Sequence, residues 1–188
     1  MAKQKKGFLK EFMKSRKIIG AVSPSSKFLA KKMLEGINFN ETKVIVEYGA
    51  GTGVFTREIV SKMAENTKLL VFELHEPFFK KLEEEFSAYP NVFVISDSAA
   101  NVLKHLEENH ETHTDIIVSS LPFTNFETNL TIRILKASER ALHKNGSFIQ
   151  FQYSLNAKKL LSKIFEMKSV QFVPINIPPA FVYTCKKK

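Results

Sequence analysis

From residue 43 onward the chain alternates between two periodicities, and this alternation constrains its fold more than any other feature. Short runs rich in β-branched and aromatic residues, "KVIVEY" (43–48), "KLLVFE" (68–73), "NVFVIS" (91–96), "TDIIVSS" (114–120) and "GSFIQFQY" (146–153), are spaced by stretches of helix length. The spacing predicts helices over 54–65, 76–88, 99–109, 125–143 and 156–167. Strands that alternate with helices form right-handed crossovers, which build a parallel sheet covered on both faces. The rhythm breaks in the tail. There "SVQFVPINI" and "AFVYTC" are joined only by a connector containing Pro-Pro, too short for a crossover, which predicts an antiparallel pair at the sheet edge. The expectation is an α/β fold with a seven-stranded, mostly parallel sheet.

Two helices are expected before the sheet. Ser23 to Ser26 supply an N-cap for a helix over Lys27 to Leu34 that closes at Gly36. An earlier helix, Lys6 to Lys17, gathers Phe8, Leu9, Phe12 and Met13 on one face with lysines around the other, as interfacial helices do. At 188 residues the chain fits one domain, with 1–36 as a basic, amphipathic helical segment and 43–188 as the core. The formal charge of +9 predicts an anionic partner, RNA or lipid headgroups, and residues 1–36 hold nine lysines and Arg16 against Glu11 and Glu35. A lone cysteine, Cys185, excludes an internal disulfide framework, and the start has no apolar secretory stretch, so a cytoplasmic protein is expected. The longest uncharged run, Ser169 to Cys185, is broken by Pro174, Pro178 and Pro179, so any membrane contact is expected to be peripheral.

The segment "VIVEYGAGTGVF" joins an apolar strand and an acid, Glu47, to a turn with Gly49, Gly51 and Gly53 that opens a helix. Glycines permit positive φ and close approach, and a helix start presents unpaired N–H groups, so an anionic ligand group is expected there. The dinucleotide fingerprint needs glycine at 54 or 56, where Val54 and Thr56 stand, and no Gly-Lys-Ser/Thr follows for a phosphate loop.

An acid followed by G-x-G-x-G resembles motif I of class I S-adenosylmethionine-dependent methyltransferases. The resemblance implies a Rossmann-like fold and S-adenosylmethionine as cofactor, held by Glu47, Tyr48, Gly49, Ala50, Gly51, Thr52 and Gly53. It also implies Glu73 with Leu74 at the ribose, Asp97 with Ser98 at the adenine, and Ser119 at the end of the fourth strand. That strand runs into Ser120-Leu121-Pro122-Phe123, which looks like motif IV of amine methyltransferases, Asn-Leu/Ile-Pro-Tyr/Phe in the ribosomal RNA adenine dimethylases. Motif IV aims backbone carbonyls and one side chain at the attacking amine while an aromatic ring walls the site. Ser120 stands in place of the usual Asn, is shorter, and suits an aliphatic amine, which needs mainly to be deprotonated and aimed.

"GAVSPSSKFLAKKM", "ELHEPFFKKLEEEF", "VSSLPF", "GSFIQFQYS" and "NIPPAFVY" are similar to the bacterial phospholipid N-methyltransferases, which methylate the amine of phosphatidylethanolamine. This resemblance implies a phospholipid substrate, an anionic membrane surface as partner, and Tyr153 at the headgroup beside Ser120, Leu121, Pro122 and Phe123 as catalytic positions. Methylation of ribosomal RNA adenines is the alternative, and a non-catalytic module that binds S-adenosylmethionine is a third. Adenine dimethylases usually carry a further helical domain after the sheet, and no such appendage is expected here. His105, His110 and His113 lack the spacing of a metal site, and no metal is expected.

Overall fold

The computed structural model describes residues 24–188, with side chains from Lys27. Helix α1 (Pro24–Leu34) leads into a seven-stranded sheet in which β1 (Val44–Tyr48), β2 (Lys68–Phe72), β3 (Val92–Ile95), β4 (Thr114–Ser119) and β5 (Leu142–Gln152) run parallel. The crossovers carry α2 (Val54–Val60), α3 (Glu76–Phe86), α4 (Val102–Glu108) and α5 (Thr128–Ala141). After α6 (Lys158–Ile164) come β6 (Glu166–Val173) and β7 (Ala180–Lys186); β7 enters antiparallel between β5 and β6, giving the order β3-β2-β1-β4-β5-β7-β6. The antiparallel edge expected from the short Pro-Pro connector is present, as is the helix ahead of the sheet. The expected helix over Lys6 to Lys17, with its apolar stripe, lies outside the described residues.

Side-chain alternation along the strands produces two cores on one sheet. On one face Val44, Val46 and Tyr48 of β1 meet Val102 and Leu106 of α4, Ile134, Leu135 and Ala141 of α5, and Leu161 of α6. On the other face Ile45, Leu69, Val71 and Val118 pack under Leu29, Ala30 and Met33 of α1, Phe55 and Ile59 of α2, and Leu82 and Phe86 of α3.

Several element limits differ from the sequence expectation, each for a local reason. The helix after β1 ends at Val60 rather than 65, turning over as Lys62 and Met63 both donate to the Ile59 carbonyl. Strand β5 starts at Leu142, earlier than 146, because Leu142 pairs with Thr114 ahead of a bulge. Gly146 serves the close approach there, since a Cβ would lie 2.9 Å from the His143 carbonyl oxygen and 3.0 Å from that of Asp115. The last helix stops at Ile164 and β6 begins at Glu166, not near 169: Phe165 leaves the helix in extended geometry and stacks on Phe148 at 4.8 Å between ring centres. Burying that ring completely offsets the lost helical turn.

The order of the strands fixes where a ligand can sit. β1 sends its crossovers to β2 and β3 on one side, while β4 and β5 lie on the other, so the chain reverses direction between β1 and β4 and leaves a crevice at their C-terminal ends.

Candidate active site

At the end of β1 the three glycines adopt the left-handed conformation, with φ of 72° at Gly49, 59° at Gly51 and 80° at Gly53. Only residues without a Cβ take this run at little cost. The Gly49 amide donates to the Phe72 carbonyl at 2.8 Å, folding the loop over the end of β2. Arg57 holds the far side: its Nη1 donates to the Thr52 carbonyl at 3.0 Å while Nε and Nη2 grip both Glu85 oxygens at 2.6 Å.

Glu73, 2% exposed just past β2, accepts from the Gly51 amide at 2.6 Å and the His75 amide at 2.8 Å. The glycine loop and the acid expected at the ribose are thus tied directly to each other. Asp97, just past β3, accepts from the Ser98 amide at 2.6 Å, from Asn101 Nδ2 at 3.0 Å and pairs with His105 Nε2 at 2.9 Å. Burial alone raises the Asp97 carboxyl, but the bonds from His105, Asn101 and the Ser98 amide outweigh it and hold the group below its usual value. His105 reaches on through Nδ1 to Glu108 at 2.8 Å.

These acids open onto one cleft with about 480 Å³ of empty space, part of it open to solvent, whose lining includes Gly49, Glu73, Leu74, Asp97, Ser98 and Leu121. Its remaining walls are apolar: Phe72, Ala99, Phe126, Leu130 and Ile134. Apolar walls with a few convergent polar groups are the usual form of a small-molecule site. The cofactor implied by the sequence fits this donor set, because an adenosine offers hydroxyl and amine donors to Glu73 and Asp97 and a flat ring to the apolar walls.

The remaining sequence candidates are not among the residues that line this cleft. The Tyr48 side chain is fully buried in the core, its ring edge-on to Phe72 at 5.6 Å and its oxygen accepting from the Ser138 hydroxyl at 3.2 Å. Burial pushes that phenol well above its ordinary value, and the Ser138 bond offsets only part of the shift. What Tyr48 gives the site is its carbonyl, which accepts from the Ser120 amide at 2.9 Å. Glu47 is fully buried on the opposite face of β1. Ala50 is buried and Thr52 exposed in the loop, and Ser119 is buried with its hydroxyl 3.4 Å from the Leu121 amide that donates to it. Phe123 turns into the core at 5% exposure, edge-on to Phe126 at 5.9 Å, so Phe126 and not Phe123 lines the cleft. Pro122 precedes the single turn Phe123–Asn125. Tyr153, 39% exposed past β5, lies edge-on to Phe151 at 5.5 Å, outside the cleft lining.

Two groups were missed in the sequence. Gln150 and Gln152, both buried, donate their amides to the Leu121 carbonyl at 3.0 Å each, and Gln150 also donates to the Phe151 carbonyl at 2.6 Å. Polar residues two apart in the apolar run Phe148 to Gln152 are their signal. In the sequence His105 stands among His110 and His113 as a candidate metal ligand, yet Asp97, Asn101 and His105 recur at four-residue intervals, the spacing of one helix face. Among the described residues no group of three or more His, Cys, Asp or Glu is placed to hold a metal ion.

The described fold is similar to that of an N-methyltransferase, NodS, from Bradyrhizobium japonicum WM9 in complex with S-adenosyl-L-homocysteine (TM-score 0.70, 8% identity, 88% of this chain and 89% of that one). It is likewise similar to the 1,6-didemethyltoxoflavin N1-methyltransferase of Burkholderia thailandensis (TM-score 0.72, 15% identity, 100% and 91%). In sequence the chain is 27% identical over 180 residues to an ornithine lipid N-methyltransferase of Singulisphaera acidiphila, covering 95% of this chain and 94% of that one. It is 25% identical over 196 residues to ribosomal RNA small subunit methyltransferase A of Thermotoga neapolitana, covering 96% and 72%. The profile of the ribosomal RNA adenine dimethylases matches residues 3–167, and with the glycine loop, the two acids and the strand order in place the chain belongs to that family of S-adenosylmethionine-dependent methyltransferases.

Proposed function

We propose that this methyltransferase acts on the aliphatic amine of a membrane lipid headgroup, phosphatidylethanolamine or another lipid with a free amine, as one domain over residues 1–188. The observation that carries the reading is the state of the strand end at Ser120-Leu121. A carbonyl oxygen has two lone pairs, and the Leu121 carbonyl already accepts from both Gln150 and Gln152. An adenine amine has a delocalised lone pair and needs acceptors that draw on its N–H groups as charge develops. The Ser120 hydroxyl, short and without a hydrogen-bond partner among the described residues, is the side-chain acceptor that Ser120-Leu121-Pro122-Phe123 itself supplies. One weak acceptor suits an alkylamine, whose lone pair is localised once a proton has left.

In this reading Glu73 and Asp97 hold the ribose and adenine ends, Gly49 lets the backbone approach, and Phe126, Leu130 and Ile134 keep water from the cleft. S-Adenosylmethionine supplies an electrophilic methyl group on a sulfonium. The Ser120 hydroxyl aims the amine, and Tyr153 stands at the outer rim toward the headgroup. The similarity to the ornithine lipid N-methyltransferase of Singulisphaera acidiphila, which this chain spans almost end to end, supports a lipid amine. The family profile and the Thermotoga relative support the second reading, ribosomal RNA adenine.

The test is methyl transfer from labelled S-adenosylmethionine to phosphatidylethanolamine or an ornithine lipid in detergent micelles, with ribosomal RNA as the matched competitor. A lipid product is expected, and Ser120→Ala is expected to lower kcat by about 10- to 100-fold. Labelled adenine in RNA with no lipid product would reverse the order of the readings. Calorimetry on Gly51→Val checks the loop separately, with loss of cofactor binding expected, because a β-branched residue at φ of 59° cannot keep the turn.

A further inference from the structure

Among the described residues the large exposed apolar side chains are unevenly placed. Ile177 is 80% exposed, Ile175 60%, Phe172 56% and Leu155 48%. They belong to the β6–β7 hairpin and to the turn after β5. These lie at one edge of the molecule, since Gln152 at the end of β5 pairs with Phe181, Phe181 with Phe172, and Val173 with Ala180. That edge carries the cleft: all five parallel strands end on it, and Gln152 reaches from it to the Leu121 carbonyl in the cleft wall. The hairpin tip has a fixed shape. Asn176, 3% exposed, turns inward and donates to the Pro178 carbonyl at 2.6 Å, which leaves Ile175 and Ile177 facing outward on either side of it.

We infer that the β6–β7 hairpin tip is a membrane-docking wedge that seats the cleft on an anionic bilayer. Charge complementarity selects the occupant. Residues 150–165 and 169–185, which carry this edge, contain no acid, and Lys158 and Lys159 are exposed in the first turn of α6, just after Leu155. Aliphatic tips flanked by lysines match an interface where acyl chains underlie negative headgroups. Of the four side chains only Phe172 has a flat face, and the two at the tip, Ile175 and Ile177, give no stacking platform of the kind that grips single-stranded RNA. This inference deepens the lipid-amine reading and rests on it: a wedge beside the cleft brings the amine to Ser120 without drawing the lipid out of its layer.

The chain has no tryptophan, so Ile177→Trp creates a single reporter at the tip. With vesicles of phosphatidylglycerol and phosphatidylcholine, which carry no free amine, its emission is expected to shift to the blue and to be quenched by bromine-labelled acyl chains. Ile175→Ser with Ile177→Ser is expected to weaken vesicle cosedimentation at least about tenfold, while methyl transfer in detergent micelles stays near the parent rate. Lys158→Glu with Lys159→Glu is expected to weaken cosedimentation in low salt and little in high salt. An unshifted emission, or cosedimentation unaffected by the serine pair, overturns the wedge. A blue shift without vesicles that grows with protein concentration overturns it in favour of self-association, and a shift seen only with RNA overturns it in favour of RNA docking. Failure of the lipid-amine reading shows separately, as vesicle binding through the tip without any lipid product in micelles.

Discussion

At the residue scale, the pair of Asp97 and His105 carries the clearest expectation. The folded value of Asp97 lies below its ordinary value, so its contribution to stability is complete above the usual carboxylate range and is lost as pH falls below about 4 through the lowered value. Removing the His105 bond with His105→Ala is expected to move the Asp97 titration upward, read by carbon NMR on the labelled carboxyl. With its orientation loosened, cofactor binding is expected to weaken by about three- to tenfold, the effect of about one hydrogen bond. An unmoved Asp97 titration would show that Asn101 and the Ser98 amide set the carboxyl alone. Cys185 supplies a contrast. It is fully buried against the Met167 sulfur at 3.8 Å, and burial pushes its thiol up to about 12, so it belongs to packing and not to chemistry.

At the scale of elements, strand ends do most of the positioning at both edges of the sheet. At the edge away from the cleft, Asp115 at the start of β4 accepts from the amides of Lys43 at 2.8 Å and Val44 at 3.0 Å, locking the start of β1 to its neighbour. Asp115→Ala leaves the amide of buried Val44 without its acceptor and is expected to cost about 1–3 kcal/mol in urea unfolding, with cofactor affinity unchanged. An affinity loss of similar size would show that the register of β1 reaches the glycine loop. At the cleft edge, Gln150 and Gln152 make β5 the floor under the strand end of β4, so the geometry of Leu121 depends on an element 29 residues downstream.

At the scale of the whole molecule, the two faces of the sheet carry separate duties. The face with α4, α5 and α6 builds the cleft wall and closes at Phe148 and Phe165, which stack with planes 8° apart, beside Cys185. Phe165→Ala is expected to cost about 3–5 kcal/mol and to expose Cys185 to a thiol reagent that leaves the parent protein unlabelled. Labelling of the native parent at a rate matching an unfolded control would contradict that packing. The described residues contain no helix long and apolar enough to cross a membrane.

The sequence by itself determined the alternation of strands and helices, the antiparallel edge, the left-handed glycine turn, and the acids Glu73 and Asp97 at successive strand ends. Periodicity, turn chemistry and the spacing of acids are local properties, and local properties survive being read along a line. Only the tertiary structure decided which side chains reach the cleft. Phe126 lines it and Phe123 does not, because the single turn after Pro122 rotates one ring into the core and the other outward. The same holds for Tyr48, spent on the core through its bond with Ser138, and for His105, which reads as part of a histidine cluster until helix α4 carries it to Asp97. The two glutamines that fill the Leu121 carbonyl lie on another strand, and their role follows from sheet register, which long-range pairing sets and no short segment contains.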